Sequence, residues 1–177
     1  MFYLCSSHII MTSHNDSLLI DSAEQLDGAK AVARGVARMF FRHDILVQSE
    51  VSLRNHRRAD LMGIDAKGQI VIVEIKVARG DLLGDQKWTE YLDFCDRFYW
   101  ALPPELDASP LEQANYLPER CGIIVADSYD AEIIRPAATH NLAAARRKVE
   151  TMRLARRAML RKSIDDGWID SVSKENY

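Results

Sequence analysis

The sequence predicts an α/β fold, a central mixed sheet of five or six strands flanked by helices, and three observations carry that prediction. Short runs rich in Ile, Val and aromatic residues recur along the chain, each bounded by Gly, Pro or charged turns, as strands are. Segments with apolar residues at helical spacing precede and follow them. The apolar run 97–102 lies one expected helix beyond the apolar run 69–77, the spacing of a right-handed parallel crossover. A length of 177 residues accommodates one domain over 21–165, with a poorly tied extension over 1–20 and a tail over 166–177.

Composition narrows the class. Apolar content of 47% and charged content of 28% match a globular protein with one core. Cys5, Cys95 and Cys121 are odd in number and form no CxxC pair, so neither a disulfide framework nor a zinc knuckle is expected, and a reducing cytoplasm is the natural compartment. No apolar run approaches the roughly 18 residues that span a bilayer, so no membrane partner is expected. Residues 1–16 lack a basic leader region and a small-residue cleavage site, which argues against a signal peptide, and Met11 is an alternative start.

Taken in order, Asp21 or Ser22 can cap a first helix that runs to about Phe41, with Leu26, Ala29, Ala33, Val36, Ala37 and Phe40 on its apolar stripe. Small residues at Gly28 and Gly35 permit close packing on a sheet. Ile45 to Leu53 reads as the first strand and Arg58 to Ile64 as the second, joined by the basic turn Arg54-Asn55-His56-Arg57. Residues 69–77 form a third strand, almost wholly Ile and Val. Asp81 can cap a helix to about Cys95, with Trp88, Leu92 and Cys95 inward. Arg97 to Leu102 is a strand stopped by Pro103-Pro104; 105–117 is a loop or short helix; Cys121 to Ala126 and Glu132 to Arg135 complete the sheet.

A last helix spans 141–162, its stripe made of Leu142, Ala145, Val149, Met152, Ala155, Met159 and Leu160. Eight basic residues stand there against Glu150 alone, a balance of +7 that leaves −10 for the rest of a chain whose net charge is −3. Such asymmetry suggests one basic face, suited to the DNA backbone through Arg153, Arg156 and Arg157 or to an acidic protein partner. The basic turn, with Arg54 and Arg57, and the adjoining Arg58 suit phosphate positioning or simple solvation.

Two charges interrupt the third strand. Alternation puts Ile70, Ile72, Glu74 and Lys76 on one face and Val71, Val73, Ile75 and Val77 on the other. The loop Ala66-Lys67-Gly68, with Gly68 in the left-handed conformation, sets Asp65 opposite Gln69 and therefore Asp60 opposite Glu74. Facing carboxylates destabilise a sheet. A divalent cation held by oxygen ligands is the simplest reason to keep them, and a structural ion-pair cluster with Lys76 is the plain alternative.

Asp60, Glu74 and Lys76 in this hairpin resemble the PD-(D/E)xK nuclease superfamily, with Ala59 in place of the motif's proline. The longer string RRADLMGIDAKGQIVIVEIKVARGDLLGDQKWTEYLDFCDRFYWALP is similar to the MmcB-like DNA repair family, a likeness that extends from about residue 20 onward. The resemblance implies a restriction-endonuclease-like core and a DNA repair role. It further implies Mg2+ or Mn2+ held by Asp60, Glu74 and the Ile75 carbonyl, with DNA and a repair-protein partner as binding partners. It implies that Lys76 acts on water and phosphate, that an acid from the first helix, Glu24, or else Glu50, completes the ligand set, and that Gln86, Lys87 and Tyr91 form the rim. A non-catalytic binding module that keeps this fold is the alternative. Nucleases of this core that carry a four-cysteine iron-sulfur cluster are not matched by three cysteines.

Overall fold

A computed structural model describes residues 28–170. The expected extension over 1–20, the helix start at Asp21 or Ser22, Glu24 and the end of the tail lie outside the described residues. The element order is α1 (Gly28–Arg42), β1 (Ile45–Ser52), β2 (Arg58–Asp65), β3 (Ile70–Ile75), α2 (Arg79–Gly84), β4 (Arg97–Leu102), β5 (Gly122–Ala126), β6 (Ala131–Arg135) and α3 (Ala144–Asp165). Single 3-10 turns occupy Trp88–Tyr91, Ser109–Glu112 and Ala114–Tyr116.

All six strands form one mixed sheet in chain order. β1, β2 and β3 are antiparallel neighbours, β4 and β5 run parallel to β3, and β6 turns back antiparallel. In the central hairpin Leu61 faces Val73 and Ile64 faces Ile70. Gly68, at φ 78°, donates its N–H to the Asp65 carbonyl, and the Asp65 carboxylate accepts from the amides of Lys67 and Gln69 at 2.9 Å each. This closed loop fixes the register that the acid pair requires.

Each sheet face has its own core. α1 packs Val32, Val36, Met39 and Phe40 against Leu61, Val71, Val73, Tyr99 and Ala101. Gly35 allows the close approach of α1 to the turn between β5 and β6, because a Cβ there would lie 2.2 Å from the Asp127 carbonyl oxygen. The opposite face is aromatic: Trp88 packs at a tilt against Phe98 and edge-on against Trp100, at centroid distances of 5.5 and 5.3 Å, beside Met62, Ile70, Ile72 and Leu154. Glu74 and Lys76 belong to this second face.

Two expectations are corrected. The helix expected over 81–95 is instead the six-residue α2 and a separate 3-10 turn, because Asp85 is extended (ψ 92°) and its carboxylate reaches Lys76 and the Lys87 amide. Gly84 just before it makes ending the helix cheap. The second correction concerns α3, whose expected stripe is only in part the packed face: Met152 and Met159 are 53% and 69% exposed and Leu142, Val149 and Leu160 half-buried, while Glu150 and Leu154 are buried. Polar anchors decide this rotation. Arg147 pairs with the buried Asp96 through both terminal nitrogens, at 2.6 and 2.7 Å. Arg153, Arg157 and Arg161, one turn apart, donate to the carbonyls of Ser52, Glu50 and Ser49 along β1. β1 is an edge strand, and α3 covers the carbonyl groups that an edge leaves unpaired.

Candidate active site

β2 and β3 part at one end, and the parting makes the site. Their register ends at Leu61 opposite Val73, so the expected facing of Asp60 and Glu74 across the hairpin is not formed: the Ile75 amide instead donates to Asp60 Oδ2 at 2.7 Å and holds the strands apart there. Asp60 thus sits between the strands, with Oδ1 left for another partner. Glu74 lies in register with Trp100 of β4, on the aromatic face, and is 7% exposed. Its Oε1 receives Lys76 Nζ at 3.3 Å, while its Oε2 is buried and has no hydrogen-bond partner among the described residues.

That environment disfavours charge on Glu74. Burial, reinforced by the Asp60 carboxylate and only partly offset by Lys76, pushes its pKa up to about 8. Burial likewise raises Asp60, against the opposing pull of the Ile75 amide and Lys76. Lys76 is 5% exposed, and burial works against its charge. Asp85 at 2.9 Å, Glu74 and Asp81 at 3.7 Å outweigh that and hold its pKa above the ordinary lysine value. Lys76 Nζ also lies 6.0 Å from the Trp100 ring centroid.

Tyr91 closes one side. Its hydroxyl donates to the Arg58 carbonyl at 3.1 Å, and burial together with the nearby Glu74 and Asp60 raises its pKa far above the usual phenol. Asp60, Glu74, Lys76, Ile75 and Tyr91 are therefore brought together. Gln86 and Lys87 are exposed on the extended link after α2. Glu50 is near enough to disfavour charge on Asp60, but its own carboxylate pairs with Arg58 Nε at 2.6 Å. Among the described residues no group of three or more His, Cys, Asp or Glu side chains converges as a metal cage.

The basic residues divide. Arg57 is paired with Glu90 at 2.8 Å and Arg58 with Glu50, while Arg54 is exposed. Arg153 and Arg157 bond the β1 carbonyls, and Arg156 is exposed with no ion pair among the described residues. Three acids escaped sequence reasoning: Asp85, the partner of Lys76; Asp96, the anchor of α3; and Glu150, buried beneath it. Only Asp85 carried a local signal, since Gly84-Asp85 reads as a turn inside an expected helix.

Fold and site together define a class: an α/β protein whose mixed sheet holds two carboxylates and an amine where two central strands part. A family model described as DNA repair protein MmcB-like matches residues 15–166, and the chain belongs to that family. Among solved structures it is similar to a protein of unknown function from Silicibacter pomeroyi, at 36% identity and TM-score 0.74, over 86% of this chain and 99% of that one. No curated protein matches the chain. Among the described residues no helix is long and apolar enough to cross a membrane.

Proposed function

We propose that this protein is a PD-(D/E)xK-type nuclease that hydrolyses DNA phosphodiester bonds in repair, with Mg2+ or Mn2+ as cofactor. The observation that carries the reading is Glu74, a buried carboxylate with an unpartnered oxygen, set beside Asp60 and Lys76 where the strands part. A buried acceptor without a donor is costly, and a hard cation that prefers oxygen ligands relieves it. Asp60 Oδ1, Glu74 Oε2 and the Ile75 carbonyl are the oxygens suited to hold one. When bound, the cation would polarise the phosphoryl oxygen and favour ionisation of water.

The chain's own residues would do the rest. Lys76, kept charged by Asp85, Glu74 and Asp81, acts as a fixed cation that orients the attacking water and meets negative charge developing on the phosphate. That charge state disfavours a role as base. Tyr91, kept protonated, is a hydroxyl donor at the rim. Arg54 and Arg156 are exposed cations available to the DNA backbone.

One observation favours the alternative, a non-catalytic DNA-binding or protein-interaction module: Lys76 is already satisfied by Asp85 and Glu74, as in a structural ion-pair cluster. Thermal melts with and without Mn2+ or Mg2+ separate the two. A nuclease site predicts that metal raises Tm of the wild type, that Asp60→Asn abolishes this rise, and that Lys76→Ala keeps it while losing cleavage of DNA. A wild type indifferent to metal, with Asp60→Asn strongly destabilised by stranding its partners, would leave only the structural cluster.

A further inference from the structure

A second site lies beneath α3, against the sheet edge. A cavity of about 260 Å3 opens there, near the lower end of the ~300–1,000 Å3 usual for ligand pockets. Its walls include Met62 and Leu154, both buried, and Leu160. Met62 lies two residues on from Asp60, and Val51, which also lines the cavity, is paired with Ala59 just before Asp60. The cavity therefore adjoins the candidate active site along β2.

Two buried polar atoms of its lining have no hydrogen-bond partner among the described residues. Glu150 is 1% exposed and lines the cavity, yet its Oε1 has no hydrogen-bond partner, and its contact with Arg153 through Oε2 is loose at 4.0 Å. Arg157, on the same wall, keeps a buried Nε–H without an acceptor. Arg156, which also lines the cavity, is exposed and has no ion pair among the described residues. A carboxylate accepts only, so a ligand suited to this cavity presents N–H or O–H donors to Glu150 and an acceptor to Arg157, carries an apolar body for Met62, Leu154 and Leu160, and is anionic where it passes Arg156.

We infer that this cavity receives one unpaired nucleobase of a DNA strand, guanine in preference, while Arg156 holds the adjoining phosphate. Guanine offers adjacent N1–H and N2–H donors to a carboxylate and O6 as acceptor on the same edge, and enzymes that extrude a base read that edge. Thymine offers that edge a single donor, N3–H, and cytosine a single donor group, N4–H2, so neither presents a carboxylate with two adjacent donors as guanine does. The inference rests on the DNA-binding reading given above and specifies which strand feature the site would grip.

The test is fluorescence anisotropy of short oligothymidylate strands containing one central guanine, inosine or thymine, measured in chelator over a range of salt. The wild type should bind the guanine strand roughly tenfold or more tightly than the all-thymine strand, as one bidentate base contact does, with inosine between them because it lacks N2. Glu150→Gln should reduce the guanine preference to within about twofold while retaining salt-dependent binding of the thymine strand. Leu160→Trp, at the partly exposed wall, should fill the cavity and do the same without touching the buried carboxylate. Salt-dependent binding with no base preference would overturn the inference and leave the DNA reading standing, as would a preference that survives both substitutions. Absence of DNA binding by the wild type would overturn both.

Discussion

Glu74 holds a proton that an unfolded chain would release. Its pKa rises from an ordinary 4.5 to about 8 on folding, so between those limits the folded state binds the extra proton and stability falls as pH rises. The contribution is fully present below about pH 4.5 and is gone once pH passes about 8. In chelator, Glu74→Gln should therefore melt increasingly above the wild type between pH 5 and 8.5, by a margin on the order of 4 kcal/mol, since each pKa unit is worth about 1.4. A difference that stays flat over that range would put the proton elsewhere. The residue identities behind this behaviour were legible in the sequence, because alternation alone sets Glu74 and Lys76 on one face. Asp85 was not, since its role depends on a break in the helix that brings it back to Lys76.

At the scale of elements, strands were read well and helices less so. The hairpin register followed from Gly68, and all six strands lie where apolar runs between turn residues put them. α3 shows the limit: its periodicity offered the Met152 and Met159 stripe, and the structure buries Leu154 and Glu150. Hydrophobic periodicity ranks faces by apolar content, whereas this helix is seated by Arg147 on Asp96 and by three arginines on β1 carbonyls. Leu154→Ala should accordingly cost about 2–5 kcal/mol, as loss of a buried leucine does. Met159→Ala should fall within about 0.5 kcal/mol of the wild type, as exposed substitutions do. The reverse order in denaturant titrations would mean that the methionine face is the packed one. The charge excess of the helix, which by sequence pointed to DNA, is in part consumed by this seating, leaving Arg156 and Lys148 as its exposed cations without ion pairs among the described residues.

For the molecule as a whole, Asp96 is the junction between sheet and helix. Its carboxylate accepts the Ile70 amide at the start of β3 (2.7 Å), the Leu142 amide before α3 (2.8 Å) and both Arg147 nitrogens. Burial would raise its pKa, but Arg147 and the two amides hold it below the ordinary carboxylate value. A depressed folded-state pKa stabilises above about pH 4 and is lost as pH falls through it, so this junction should fail first in acid. Asp96→Asn should lower stability by about 3–5 kcal/mol near neutral pH by stranding Arg147, and should reduce the acid sensitivity of α3. An unchanged melt, or an unchanged acid midpoint for α3 by hydrogen exchange, would show that the helix is held otherwise.

What the sequence determined by itself is what depends on local period and turn chemistry: the strands, the closed loop at Gly68, and the placing of Glu74 and Lys76 on one face. Tertiary structure alone decided which way α3 faces, where the chain breaks after Gly84, and that Asp85 and Asp96 meet partners 9 and 51 residues away. The physical reason is range. Backbone propensity and alternation act between neighbours, whereas a buried charge is placed by whichever distant group can satisfy it, and that choice is made only when the chain closes.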